Sequence, residues 1–142
     1  DLNAGRNIGK ILRMAAQVGK DVMIYLYTDG GVRAGNDESD NGRLTYRGDS
    51  GARAATACFV YCHAGRPELT QNKRQVGNYG QGGTVDTDAS LVSDDVQALA
   101  QSVVLQYAAL TNQVGKFGDI VGRNGFEGKL DKYVMFAPLK KS

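Results

Sequence analysis

Residues 93–114, SDDVQALAQSVVLQYAALTNQV, restrict the fold more than any other stretch of the chain. Val96, Leu99, Ala100, Val103, Tyr107, Leu110 and Val114 recur at the i, i+3, i+4, i+7 spacing of one helix face. Ser93 suits the cap of the first turn, and Asp94 and Asp95 set negative charge on the positive end of the helix dipole. Gly115 is placed to stop the helix as a C′ residue. A helix of this kind is a packing element. Val103 and Tyr107 are expected to lie buried against an apolar strand elsewhere in the chain.

That strand is read at 22–28, VMIYLYT, a run of β-branched and aromatic residues without polar alternation. Such a run predicts a central strand covered on both faces. Asp29-Gly30-Gly31 then predicts a turn, because glycine supplies the positive φ that tight turns require. Ahead of the strand, Asn7 is a cap, Ile8, Ile11, Leu12 and Ala15 form a stripe, and Gly19 is a stop. The spacing predicts a first helix over 7–18, weakened by about 1 kcal/mol at Gly9 relative to alanine.

Further strands are expected at 43–47, where Leu44 and Tyr46 alternate with polar residues, at 54–62, and at 132–138, where Pro138 suits a strand end. Residues 116–128 read as irregular, broken by repeated glycines, with Phe117, Ile120 and Val121 adding one short turn. The predicted architecture is α+β: two helices, 7–18 and 93–114, packed on one face of a mainly antiparallel sheet in a single domain spanning 1–142. A long, polar, glycine-rich loop is expected at 65–90.

Composition narrows the function classes. At 142 residues the chain is long enough for one real core and not for two. Seventeen basic and 15 acidic side chains leave a net charge of +2, too even to make nucleic acid or an anionic membrane an obligatory partner. No apolar run reaches the length of a membrane span. Histidine occurs once, which excludes chemistry built on two imidazoles, and glycine reaches 19, which implies many sharp turns or close backbone approaches. The chain begins at Asp1 and not at Met, as expected of a chain whose leader has been removed or of an excised domain; the location is left open, with an extracellular setting or an assembled particle among the options.

Two short motifs have ordinary explanations. Residues 36–42, NDESDNG, resemble the start of a calcium-binding EF-hand loop but lack its closing glutamate, and a solvated hairpin tip is expected. Arg47-Gly48-Asp49-Ser50 spells the tetrapeptide that integrins recognise, but a tight turn is the expected reading, since Gly48, Asp49 and Gly51 are what such a turn requires.

The candidate chemistry lies in 58–63, where both cysteines and the single histidine fall together as Cys58-Phe-Val-Tyr-Cys62-His63. This resembles a lengthened c-type haem attachment motif, with three residues between the cysteines where the usual motif has two. The resemblance implies haem c bound through Cys58 and Cys62, with His63 on the iron and Met14, Met23 or Met135 as available thioethers. On a strand the two cysteines would share a face roughly 13 Å apart, too far for a disulfide. A structural zinc site would need ligands from elsewhere, and the chain has no other Cys or His. The preferred reading is packing, with both thiols behaving as small apolar groups beside Phe59, Val60 and Tyr61.

The 65–90 segment carries Lys73, Arg74 and Tyr79, two cations and one stacking ring, as candidate interaction residues. Asp86 and Asp88 interrupt any basic track, so nucleic acid is not the expected partner. With no catalytic constellation, the function expected is a non-enzymatic structural or interaction subunit, such as a virion, tail or surface-filament component, that forms a homo-oligomer without a cofactor. The alternatives are a redox or haem c domain using Cys58, Cys62 and His63, and a small-molecule sensor domain.

Overall fold

A computed structural model describes residues 2–27, 33–36, 44–47, 56–72, 74–79, 85–86, 88–93 and 95–140. The Asp29-Gly30-Gly31 turn, the acidic tip after Asn36, Gly48-Asp49-Ser50 and Lys73 lie outside these residues.

The elements run α1 (Leu2–Val18), β1 (Val22–Tyr27), β2 (Arg33–Asn36), β3 (Leu44–Arg47), β4 (Thr56–Tyr61), β5 (Asn78–Tyr79), β6 (Val85–Asp86), α2 (Val96–Leu110), α3 (Phe117–Val121) and α4 (Leu130–Tyr133), with 3-10 turns at Thr70–Asn72 and Val114–Lys116. The mixture is α+β. In place of one broad sheet, the described strands form separate antiparallel pairs, β1 with β4, β2 with β3 and β5 with β6. The pairing is nested in sequence: β2 and β3 fall between β1 and β4 in the chain.

The first helix starts earlier than the stripe predicts, at Leu2, which brings Arg6 onto the same helix as Lys10 and Arg13. Gly19 ends it as expected, with φ 64° and a Lys20 N–H donating to the Ala15 carbonyl at 3.0 Å. Ala15 is the buried residue of this helix.

The second helix is shorter than expected. Asp95, not Ser93, is its N-cap, its carboxylate accepting from the Ala98 N–H at 2.9 Å. Ser93 sits before the helix, its hydroxyl 3.0 Å from that of Ser90. At the other end Asn112, at φ 58°, takes the left-handed position assigned above to Gly115. The Gln113 N–H reaches the Ala108 carbonyl at 2.6 Å and the Asn112 N–H that of Ala109 at 3.0 Å, a Schellman closure.

The buried face of α2 is also rotated from the expected one. Ala98, Ser102, Leu105, Gln106, Ala108, Ala109 and Leu110 are buried, while Val96 and Tyr107 are exposed and Val103 is half-buried. The cause is legible: α2 is apolar on most of its circumference, so periodicity alone leaves its orientation open. What turns it is the C-terminal segment. Phe117 and Phe126, at 1% and 0% exposure, join Leu105, Ala98 and Val92 in the core, and Leu91, Leu99, Leu130, Tyr133 and Val134 pack around them. The Phe126 ring meets Phe117 and Tyr133 edge-on, at centroid distances of 5.8 and 5.0 Å. Residues 116–128, which read as irregular, therefore contribute the largest buried side chains.

The strand expected over 132–138 is a correction. Asp131 and Lys132 lie in α4, and the chain is extended only afterwards, with one antiparallel bridge between Leu69 and Phe136. Thr70 N–H donates to the Met135 carbonyl at 2.9 Å and Ala137 N–H to the Glu68 carbonyl at 3.0 Å. The next donor along this ladder, the Leu139 N–H, turns instead to the Leu110 carbonyl of α2 at 2.9 Å, so the pairing stops there. Gln106 fastens the same segment to α2: its amide donates to the Tyr133 carbonyl at 2.8 Å and to the Ser102 carbonyl at 3.1 Å, and its carbonyl accepts from the Met135 N–H at 2.8 Å. The polar 65–90 stretch is thereby tied to the body at its start, and again at Val76, which packs on the core.

Nor is 22–28 a central strand. Val22, Met23 and Ile24 are half-buried, whereas Tyr25, Leu26 and Tyr27 are exposed. Exposure rises along β1, while β4 alternates between half-buried and exposed residues before buried Cys62, so the pair is a two-stranded ribbon only partly covered by the body.

Candidate functional site

Of the cysteine–histidine group, Cys62 and His63 follow the end of β4 and Cys58 lies further along the ribbon. Cys58 lies in β4 opposite Tyr25, half-buried, and Cys62 follows the strand, buried; both thiols are free. His63 is exposed, its backbone N–H donating to Asp21 Oδ1 at 2.8 Å. Its ring rests beside Gly19, where a β-carbon would stand 3.5 Å from Nε2. Burial pushes the Cys58 thiol above its ordinary range, so at neutral pH it is a protonated, weakly nucleophilic group. Burial, with Cys58 and Tyr27 nearby, raises the Tyr25 phenol in the same direction.

A haem held by two thioethers needs both sulfurs open to one pocket. Cys62, at 7% exposure, is packed away, and the residues present do not fit that group. Among the described residues no three His, Cys, Asp or Glu side chains gather as metal ligands.

Beside Cys58 a half-open cavity of about 570 Å³ separates β4 from α2. Its apolar wall comes from Phe59, Leu69, Val76, Val92, Leu99, Met135 and Phe136, and its polar groups include Thr56, Ser93, Ser102 and Asn78. Arg74 and Tyr79, singled out in the sequence, both line it and both are exposed. Arg74 is the one charged side chain among the described lining residues. Gly77 bounds the cavity at φ 79°, with the Ser93 hydroxyl 3.2 Å from where a β-carbon would lie. The chain brings Cys58, Arg74 and Tyr79 together, which no motif announces because the walls come from segments far apart in sequence. A second groove, of about 590 Å³, runs between Met23 and Val60 of the ribbon and Tyr107 and Leu110 of α2.

The other unusual surface is apolar. Of the large apolar side chains left exposed among the described residues, Tyr25, Leu26, Tyr27 and Phe59 lie on the β1–β4 ribbon and Leu2, Ile11, Met14 and Val18 on α1. The Tyr25 and Tyr27 rings share one ribbon face with centroids 5.4 Å apart. Among the described residues, neither β1 nor β4 has a second strand beside it, so each keeps a row of unpaired backbone groups. No described helix is long and apolar enough to cross a membrane.

Comparison with known protein families, with characterised proteins and with solved structures finds no match to this chain.

Proposed function

We propose that this chain is a self-assembling structural subunit whose β1–β4 ribbon docks on neighbouring copies. The observation that carries the reading is the ribbon itself. A two-stranded hairpin is marginal in water without a third strand or a covering layer. This one leaves Tyr25 and Tyr27 exposed on one face and Leu26 and Phe59 on the other, with both of its outer edges unpaired among the described residues. A copy of the same chain is the simplest surface to cover such a strand pair, because closed symmetry then repeats the contact in every subunit. The interface need not involve 65–90, since that stretch is partly held within its own chain.

Light scattering of the full chain across a concentration series tests the reading. A mass that is a multiple of the single chain is expected, falling to that of the monomer in a Leu26→Lys, Tyr27→Asp variant whose melting curve is retained. A monomer at the highest concentration overturns it.

The cavity favours a second reading, the binding of a small apolar molecule with an anionic group, given its apolar walls and the Arg74 cation at its edge. A rise in melting temperature with a medium-chain carboxylate, lost in Arg74→Ala, supports it; no rise refutes it.

A further inference from the structure

We infer that α1 is a docking helix for an anionic lipid bilayer, lying in the plane of the headgroups with Ile11, Met14 and Val18 inserted. The inference is independent of the self-assembly reading and concerns a different surface.

The net charge of +2 conceals a segregation. Residues 1–21 carry Arg6, Lys10, Arg13 and Lys20 against Asp1 and Asp21 at their two ends, so this segment holds the whole net charge of +2 and the remainder of the chain is neutral. Because the helix begins at Leu2, three of these cations share it. At about 100° per residue, Arg6, Lys10 and Arg13 fall within about 60° of one another around the axis. All three are exposed. Ile11, Met14 and Val18 occupy a neighbouring arc of about 60°, and they too face outward, at 44%, 64% and 65% exposure. Ile8, Leu12 and Ala15 form the next arc, and it is these that are half-buried or buried.

The body of the protein thus uses one flank of the apolar face and leaves the other bare beside the cations. A polyanion such as RNA would satisfy the cations and leave Met14 and Val18 in water. An apolar protein groove would cover Met14 and Val18 without engaging the charges. A bilayer with acidic headgroups meets both demands on one surface, the acyl boundary taking the apolar arc and the phosphates and carboxylates taking the flanking cations. At 17 residues the helix is about 25 Å long, ample for an interfacial anchor.

The test is co-sedimentation of the full chain with vesicles of phosphatidylcholine mixed with phosphatidylserine, against phosphatidylcholine alone. Binding to the mixed vesicles that weakens as salt is raised is expected. Lys10→Gln with Arg13→Gln should weaken it roughly 20- to 30-fold, about a factor of five for each cation near the surface. Met14→Gln with Val18→Gln should remove it while leaving the melting curve unchanged, since both side chains are already exposed. Two outcomes overturn the inference: no dependence on phosphatidylserine, or binding that survives Met14→Gln with Val18→Gln.

Discussion

Replacing Gln106 with leucine isolates the contact that holds the C-terminal segment on α2. The side chain is 1% exposed and makes two hydrogen bonds outside its own helix, to the Tyr133 carbonyl and the Met135 N–H, each 2.8 Å long. Leucine nearly conserves the volume, so the cavity contribution is small and the cost comes from the two backbone groups left behind. An unsatisfied buried group costs about 1–3 kcal/mol, and relief by water at the half-buried Tyr133 and Met135 places the sum near the lower half of its range, about 2–4 kcal/mol. For a chain of this size that is a fall in Tm of about 6–14 °C. Urea unfolding at low protein concentration, where assembly does not contribute, should show a lower midpoint with an unchanged slope. A loss below about 0.5 kcal/mol, within the range of an ordinary surface substitution, would refute the clamp and with it the explanation of why 134–139 runs extended along α2.

Further expectations follow from the same geometry. Leu105→Ala, at a site with 0% exposure, should cost about 3–4 kcal/mol in chemical denaturation, while Asp95→Ala should cost about 1 kcal/mol through the lost N-cap. Gly77→Ala should destabilise by about 1–2 kcal/mol, because alanine at φ 79° is strained and its methyl group would crowd Ser93. Alkylation of Cys58 in the native protein should stay slow through neutral pH and quicken only in alkali, read by mass spectrometry; rapid labelling at neutral pH would contradict the burial of that thiol. The hydrogen bond and charge of Lys140, at 2.7 Å, hold the Glu68 carboxyl below its ordinary range, and Glu68 raises Lys140 in return. The Glu68 contribution is therefore present above the unfolded carboxylate pKa and lost as pH falls through the lowered one, whereas that of Lys140 is present below the unfolded amine pKa and lost as pH rises through the raised one. Both groups are solvent-exposed, so Lys140→Ala should return the Glu68 titration, followed by NMR, to its ordinary range with little change in stability.

Local chemistry was legible in the chain itself. The α+β mixture, the first helix with its Gly19 stop, the second helix, and strands at 22–27, 44–47 and 56–61 all follow from residue spacing and turn residues, because these are decided within a few residues of each position. Of the two cysteines read as packing groups, Cys62 is buried, whereas Cys58 is half-buried and lines the cavity. What required the tertiary structure were choices among equivalent local options. Helix α2 is apolar nearly all round, so only the arrival of Phe117 and Phe126 selects the face carrying Leu105 and Gln106. KYVMFAPL has strand composition, yet it pairs at one bridge and is held instead by α2, through the Gln106 side chain and the Leu110 carbonyl. The run 22–27 has the composition of a buried strand, and whether it is covered depends on layers that local sequence does not specify; here the body reaches only its first half. Arg74, Tyr79 and Cys58 became one cavity wall for the same reason, since side chains distant in sequence meet only once the long-range contacts of the fold are made.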